Sequence, residues 1–340
     1  KPIVYAAALD MGYTPSSIVL DVPFVAQQGH GLPMWRPENY DEGFAGPSTL
    51  RQGLEKSRNL MTVRIAADIG MDKVVEYARK MGTSENMLAV LANALGSTES
   101  TLVRMTTAYS MFVNGGKRIY PALVDRIQDR TGKTIYRQDK RVCEGCNSDA
   151  WAQQEEPLIA SNAENVLDAR TAYQITHMLE GVVERGTAMV AREVGVPLAG
   201  KTGTTNDYKD AWFVGFSPNL AVGIYIGFDQ PASMGRGETG GTNAAPIFKE
   251  FMKDAVGKQA PVPFRIPPGI RLVRVDLKSG RPSSGGAVLE AFKAGTEPGS
   301  GYQPRGDRFG AGSTAVDEGS EDGSSDESGA ASNNGDWGLY

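Results

Sequence analysis

The sequence predicts an α+β domain in which an antiparallel β-sheet is flanked by helices, with a mostly helical subdomain. Three observations predict it. Helical periodicity fills residues 48–113 and returns over 168–193. Three strand-like segments follow in close order between 197 and 228, and a further helical segment, 244–256, closes the block. Short turns between successive strands leave no room for a crossover, so the strands must run antiparallel. Helices on both sides of such a block give the α+β class.

The elements follow in order. Pro2 precedes Ile3-Val4-Tyr5-Ala6-Ala7-Ala8-Leu9, a good helix former that stops near Gly12. Proline belongs in a helix's first turn, where its missing N–H is no loss. The helix is therefore expected to begin a few residues before Lys1, which marks the chain as a fragment. Residues 14–46, rich in Pro, Gly and aromatics (Trp35, Pro37, Tyr40), read as extended loop. Helices are predicted over Ser48–Glu55, Leu60–Ile69 and Asp72–Met81, with Gly70 and Gly82 as stops, and then from Glu99 to Val113. Val124–Tyr136 reads as a hairpin around Asp129-Arg130-Thr131-Gly132. A polar loop, 138–157, leads to Asp168–Glu184, where Ala172, Ile175, Leu179 and Val182-Val183 recur at helical spacing. A short helix to Glu193 precedes the strands Pro197–Thr204, Ala211–Phe216 and Leu220–Phe228, and Ala244–Val256 closes the block.

Beyond Pro261 the composition changes. Arg271–Leu277 and Ala287–Phe292 read as a β appendage, and from Phe309 the chain is Gly, Ser, Asp, Glu and Asn with few apolar residues. Such a segment cannot bury enough surface to fold alone, so disorder is expected there. The predicted organisation is a main domain over 1–262, an appendage over 263–308 and an acidic tail over 309–340.

The 340 residues are 40% apolar and 22% charged, as in a soluble globular protein. The longest apolar run, Leu220–Phe228, is too short to span a bilayer. No signal peptide is legible at the start, so any export signal is expected upstream of residue 1. The formal net charge of −5 misleads, because seven acids and no base lie in 309–340, leaving the body at +2. A near-neutral body offers nucleic acid no electrostatic footprint. Cys143 and Cys146 form a lone CxxC among Arg141, Glu144, Gly145 and Asn147, which is loop chemistry. A small loop disulfide is the expectation in an oxidising compartment, with free thiols or a metal as alternatives. His30 and His177 offer no metal-type spacing.

Three short elements carry chemistry together. Lys1 lies one turn into a helix, Ser57-Arg58-Asn59 occupies a break between two helices, and Lys201-Thr202-Gly203-Thr204 lies on a strand. Singly they read as a terminus, a helix cap and a glycine-kinked strand. Together they match the order SxxK, SxN, KTG, the known motif set of serine β-lactamases and penicillin-binding proteins. The stretch Lys201–Phe216, with the helix after Lys1, resembles the class A (bifunctional) penicillin-binding proteins. Trp35-Arg36-Pro37-Glu38-Asn39-Tyr40, Arg185-Gly186-Thr187-Ala188 and Gly240–Pro246 fit that family too.

The resemblance implies a penicillin-binding transpeptidase fold, like that of serine β-lactamases, and the following roles. The nucleophilic serine would stand three residues before Lys1, outside this chain, where one helical turn stacks it on the lysine. Lys1 would be the base. Ser57 would relay a proton, and Asn59 would hold Lys1 and the substrate amide. Lys201 would attract the substrate carboxylate and help lower the pKa of Lys1, with Thr202 and Thr204 offering hydroxyls. Gly203 would let the substrate backbone lie against the strand. The oxyanion hole would use the backbone N–H of Thr204 and that of the serine. No cofactor or metal is called for. The implied partners are peptidoglycan stem peptides, a lipid-linked precursor, β-lactam antibiotics and cell-wall assembly proteins. The implied setting is the periplasmic face of the bacterial inner membrane, reached through an upstream anchor and glycosyltransferase domain. Rival readings are a D,D-carboxypeptidase or β-lactamase, in which water resolves the acyl-enzyme, and a non-catalytic interaction module. Lacking the serine, the fragment itself is expected to be inert. Trp212 and Phe213 read as core aromatics, His177 as structural, and Asp207 and Asp210 as turn residues. Trp35, in a Pro-rich loop, fits either a cleft wall or the core.

Overall fold

A computed structural model describes residues 1–306, apart from 28–32, 144–145, 147–149, 151, 154, 156, 158, 160, 259 and 286. The acidic tail expected over 309–340 lies outside the described residues. Helix α1 (Pro2–Asp10) is central. It carries proline at its first turn, and Val4 to Leu9 are all buried. A helix that is apolar on every side belongs inside a core, and besides α2 (Leu50–Glu55), α1 packs against three further helices. These are α3 (Asn59–Ile69), α4 (Met71–Lys80) and α6 (Ala169–Glu184). Gly53, on α2, makes room for this packing. A Cβ there would stand 2.7 Å from the Tyr5 hydroxyl and 2.8 Å from Met61 Cε.

Residues 14–46 differ from expectation. They carry β1 (Ile18–Asp21), which pairs antiparallel with β2 (Gly46–Thr49) from Ile18↔Thr49 to Asp21↔Gly46. Four-residue strands separated by a long loop leave no alternation for a sequence pattern to show. Thr49 ends β2 and caps α2, its hydroxyl accepting from Gln52 N at 3.3 Å. Helix α5 (Leu102–Val113) is capped by Thr101 in the same way. The hairpin expected near 124–136 is present as β3 (Arg126–Gln128) and β4 (Thr134–Arg137). Beyond it, Cys143 and Cys146 are joined as a disulfide. Asp168 caps α6, accepting from Arg170 N at 2.8 Å.

The main sheet has the order β5 (Ala199–Thr204), β6 (Asp210–Phe216), β7 (Ala221–Gly227), antiparallel throughout. Strand side chains alternate between faces, and each face meets its own helix. On one face Phe213 meets Phe248 of α7 (Ala245–Ala255) at 4.7 Å between ring centroids, and Gly215 leaves that ring space. On the other, Gly223 admits Leu102 and Thr106 of α5. The short helix expected to end at Glu193 is a 3₁₀ helix over residues 189–194, and Gly240–Ala244, beginning ahead of the helix expected from Ala244, wind as a π turn before α7. Phe213 is core, as expected. Trp212 is not: it is half-buried on the opposite face, its ring tilted against Tyr225 at 4.8 Å between centroids.

The appendage is a hairpin of β8 (Ile270–Asp276) and β9 (Ala287–Lys293). It shares the core of the body. Glu290, Ala291 and Phe292 are buried, Gln174 of α6 donates to Ala291 O at 2.9 Å, and Thr49 donates to Leu277 O at 2.9 Å. The chain then returns to the first helix, where Arg305 N donates to Gly12 O at 2.9 Å.

Candidate active site

The elements bring Lys1, Ser57, Asn59 and Lys201 into one hydrogen-bonded group. Ser57 sits between α2 and α3 with φ +57°, a left-handed conformation that costs a non-glycine residue about 1–3 kcal/mol. That turn aims both its carbonyl and its hydroxyl at Lys1. Lys1 Nζ donates to Ser57 O at 2.6 Å and to Asn59 Oδ1, and lies 3.0 Å from Ser57 Oγ. Lys201 Nζ approaches the same hydroxyl from the β5 side at 2.7 Å and donates to Thr202 O at 2.9 Å. Ser57 Oγ therefore lies between two amines. A hydroxyl can accept from one nitrogen while donating to the other, so this arrangement is a proton path as well as a contact.

Electrostatics favour an uncharged amine here. Burial, and after it the Lys201 ammonium, hold Lys1 well below the ordinary lysine value. Burial alone pulls Lys201 down to about 7. The Lys201 charge beside it further disfavours a proton on Lys1. A neutral Lys1 amine can receive a proton from Ser57.

Asn59 is held from three sides. Its side-chain amide donates to Glu38 O at 2.7 Å, its oxygen accepts from Lys1, and its backbone N–H goes to Asn39 Oδ1 at 2.9 Å. Asn39 is buried and is itself fixed by Asp21 Oδ1 and Gly43 O, both at 2.8 Å. It caps α3 from a loop twenty residues earlier in the chain. Sequence reading missed that role, since a cap so remote leaves no local signature. On the sheet side, Thr202 Oγ1 meets Thr187 Oγ1 at 2.7 Å, and Thr204 Oγ1 accepts from Gly240 N at 3.1 Å. The Thr204 hydroxyl thus keeps its hydrogen free to donate. A Cβ at Gly240 would lie 2.2 Å from Trp212 O and 2.6 Å from Gly203 O, so only glycine fits beside the strand. Gly203 itself pairs with Trp212 across the sheet. Tyr40 and Tyr208 meet edge-to-face, hydroxyls 3.3 Å apart, joining the Asn39 loop to the β5–β6 connection.

Residues 1–253 match the family model of the penicillin-binding protein transpeptidase domain. The chain belongs to that family. This penicillin-binding transpeptidase domain is 47% identical over 297 residues to penicillin-binding protein 1A of Rickettsia bellii, spanning 86% of this chain and 37% of that protein. It is 36% identical over 327 residues to penicillin-binding protein 1A of Pseudomonas aeruginosa, spanning 86% of this chain and 40% of the relative. The chain therefore spans well under half the length of these relatives. The crystal structure of penicillin-binding protein 1A from Haemophilus influenzae superposes with a TM-score of 0.76 at 34% identity, covering 88% of this chain and 47% of that one. The fold is also that of the PonA1 protein of Mycobacterium tuberculosis in complex with penicillin V, with a TM-score of 0.62 at 20% identity over 78% of this chain and 70% of that one.

The other residues singled out in the sequence fall around this transpeptidase site or away from it. His177 takes part in a buried charged cluster with Arg51. Asp210 accepts from Tyr225 and Thr205, and Asp207 sits in the turn with φ +60°. Trp35 is half-buried and pairs its backbone with Ala26.

Proposed function

We propose that this chain is the D,D-transpeptidase module of a peptidoglycan synthase, acting through a serine acyl-enzyme. The observation that carries the reading is Ser57 Oγ held between Lys1 and Lys201, with burial and the Lys201 charge both disfavouring a proton on Lys1. A serine one helical turn before Lys1 would lie beside that amine. Lys1 takes the serine's proton as it attacks the penultimate D-Ala carbonyl of a donor stem peptide. Ser57 passes a proton to the leaving D-Ala nitrogen, and an amine of a neighbouring stem then resolves the acyl-enzyme. Lys201, Thr202 and Thr204 receive the donor carboxylate, Gly203 leaves room for its backbone, and Asn59 orients Lys1 and the substrate amide. The Thr204 N–H and that of the serine form the oxyanion hole.

β-Lactams fit the same site as donor mimics, a reading supported by the penicillin V held by PonA1. In the longer protein we place a glycosyltransferase domain and a membrane anchor upstream, on the periplasmic face of the inner membrane. Lipid-linked precursor and cell-wall assembly proteins would be met there. Main domain, C-terminal appendage and acidic tail remain the proposed division, with the appendage docked on the body.

A fluorescent penicillin tests the reading. Chain 1–340 is expected to remain unlabelled, while a protein extended upstream through a Ser-x-x-Lys labels covalently. Labelling of 1–340 at any side chain overturns the register given to Lys1. In the extended protein, Lys201→Ala is expected to lower acylation efficiency roughly ten- to a hundredfold, the worth of a charge-assisted contact. A Lys201→Ala rate equal to the parent's removes the KTG strand from the site. Cross-linked product exceeding hydrolysed product on a stem-peptide substrate separates transpeptidase from carboxypeptidase.

A further inference from the structure

Behind Ser57 lies a second charged group, and it is buried. Arg51 is 1% exposed, Glu55 2% and Glu290 1%. Arg51 forks onto Glu290, through Nε and through an NH2 bond of 2.7 Å, and donates to Glu55 at 2.9 Å. Its remaining donor capacity goes to His177, at O (3.1 Å) and Nδ1. Arg185 grips the same Glu55 carboxylate at 2.6 and 3.0 Å. Two arginines and two glutamates balance, so the cluster is neutral.

Such clusters are poor sources of stability, because desolvation offsets the attraction and apolar residues of similar volume serve equally well. Their geometry is a better explanation here. Gly181 and Gly186 leave no space for a Cβ beside Glu55, whose carboxylate and carbonyl fill both gaps. Lys56 Nζ donates to Arg185 O at 2.7 Å. The end of α2 is thus fastened to the end of α6. Two residues beyond Glu55 stands Ser57 in its left-handed turn. Two beyond Arg185 stands Thr187, on the hydroxyl of Thr202. Both sides of the reaction centre hang on one carboxylate, and that carboxylate is shared with an arginine whose other partner comes from the C-terminal hairpin.

We propose that Glu290 is a positioning residue for acylation, setting Ser57 through Arg51 and Glu55. The inference rests on the acyl-enzyme reading above and gives hairpin β8–β9 a part in it. Without the Glu290 charge, Arg51 turns its whole fork to Glu55 and draws it from Arg185. Ser57 then leaves the line between the two lysines, while Thr202 and Thr204, on the strand that captures the carboxylate, keep their own contacts.

The test uses the full-length protein and a fluorescent penicillin, separating the saturating acylation rate from the half-saturating concentration. Glu290→Gln is expected to lower the saturating rate about tenfold with half-saturation unchanged, as small misplacements of reacting groups do. Val275→Ala, a buried change in the same hairpin away from the cluster, supplies a comparable loss of melting temperature with the rate unchanged. Arg51→Met combined with Glu290→Met replaces the fork by apolar volume; it is expected to melt near the parent and still acylate slowly. A Glu290→Gln protein that keeps pace with Val275→Ala overturns the inference, as does a parental rate in the double variant. A parent protein that fails to acylate overturns the transpeptidase reading itself, and this inference with it.

Discussion

Replacing Lys1 by alanine in the full-length protein is expected to lower acylation by penicillin about a thousandfold, within the range typical of a lost general base. The site leaves no substitute. Lys201 is directed at Ser57 Oγ and Thr202 O, and among the described residues no carboxylate bonds either amine. The pH profile provides an independent check. Burial and the Lys201 charge both disfavour protonated Lys1, so the second-order rate rises with pH as Lys1 becomes neutral. Lys201 loses its own charge above about 7, and carboxylate capture declines there. The expected profile is a bell whose alkaline limb belongs to Lys201. Lys201→Ala is expected to flatten that limb, and Lys1→Ala to leave no acid limb to measure. A Lys1→Ala protein with the parent's rate and profile would dismiss lysine as the base.

Arg51→Ala is expected to have the largest effect on stability, about 3–5 kcal/mol, because it strands buried carboxylates without their cation. The melting temperature is expected to fall by roughly 10 °C. The dependence on pH distinguishes this cause from simple loss of packing. Burial pushes Glu290 up, yet Arg51 overcomes it and holds the carboxyl down to about 2, against an ordinary 4.5. In the parent, this carboxylate's contribution is complete above about 4.5 and disappears as pH falls towards 2. In Arg51→Ala burial is opposed only by His177 and the Ala291 N–H, so Glu290 shifts towards its neutral form. The deficit relative to the parent is therefore expected to be widest at neutral pH and to narrow on acidification. Thermal melts at neutral and mildly acid pH decide it, and a deficit independent of pH would assign the effect to packing alone.

The strand block was legible because its signals are local. Pro197–Thr204, Ala211–Phe216 and Leu220–Phe228 are separated by turns too short for anything but antiparallel pairing, and their observed bounds differ by two residues at most. Helix α6 was legible from its apolar spacing, and the KTG and SxN segments from motif order. What stayed hidden depends on contacts between distant residues. Arg51 and Glu290 are 239 positions apart, so nothing near Arg51 announces a buried fork. Asn39 caps a helix that starts twenty residues further on. Trp212 was read as core from its size and strand setting, but its neighbour Phe213 takes the face towards α7 and leaves the indole on the other, beside Tyr225. Strands β1 and β2 were hidden by the long loop between them.

Helix α1 has one more consequence, for the order in which the molecule comes apart. Its residues from Val4 to Leu9 are sealed by α3, α4 and α6, and its far end is closed by the returning segment at Arg305. Amide protons in such a segment exchange with solvent only when the whole domain opens. The turn bearing Lys1, and under the proposed register the acylated serine before it, would thus be attached to the last part of the chain to open. Deuterium uptake along α1 would then follow global unfolding, and a bound antibiotic would leave that uptake slow even where the surface hairpin β3–β4 exchanges freely.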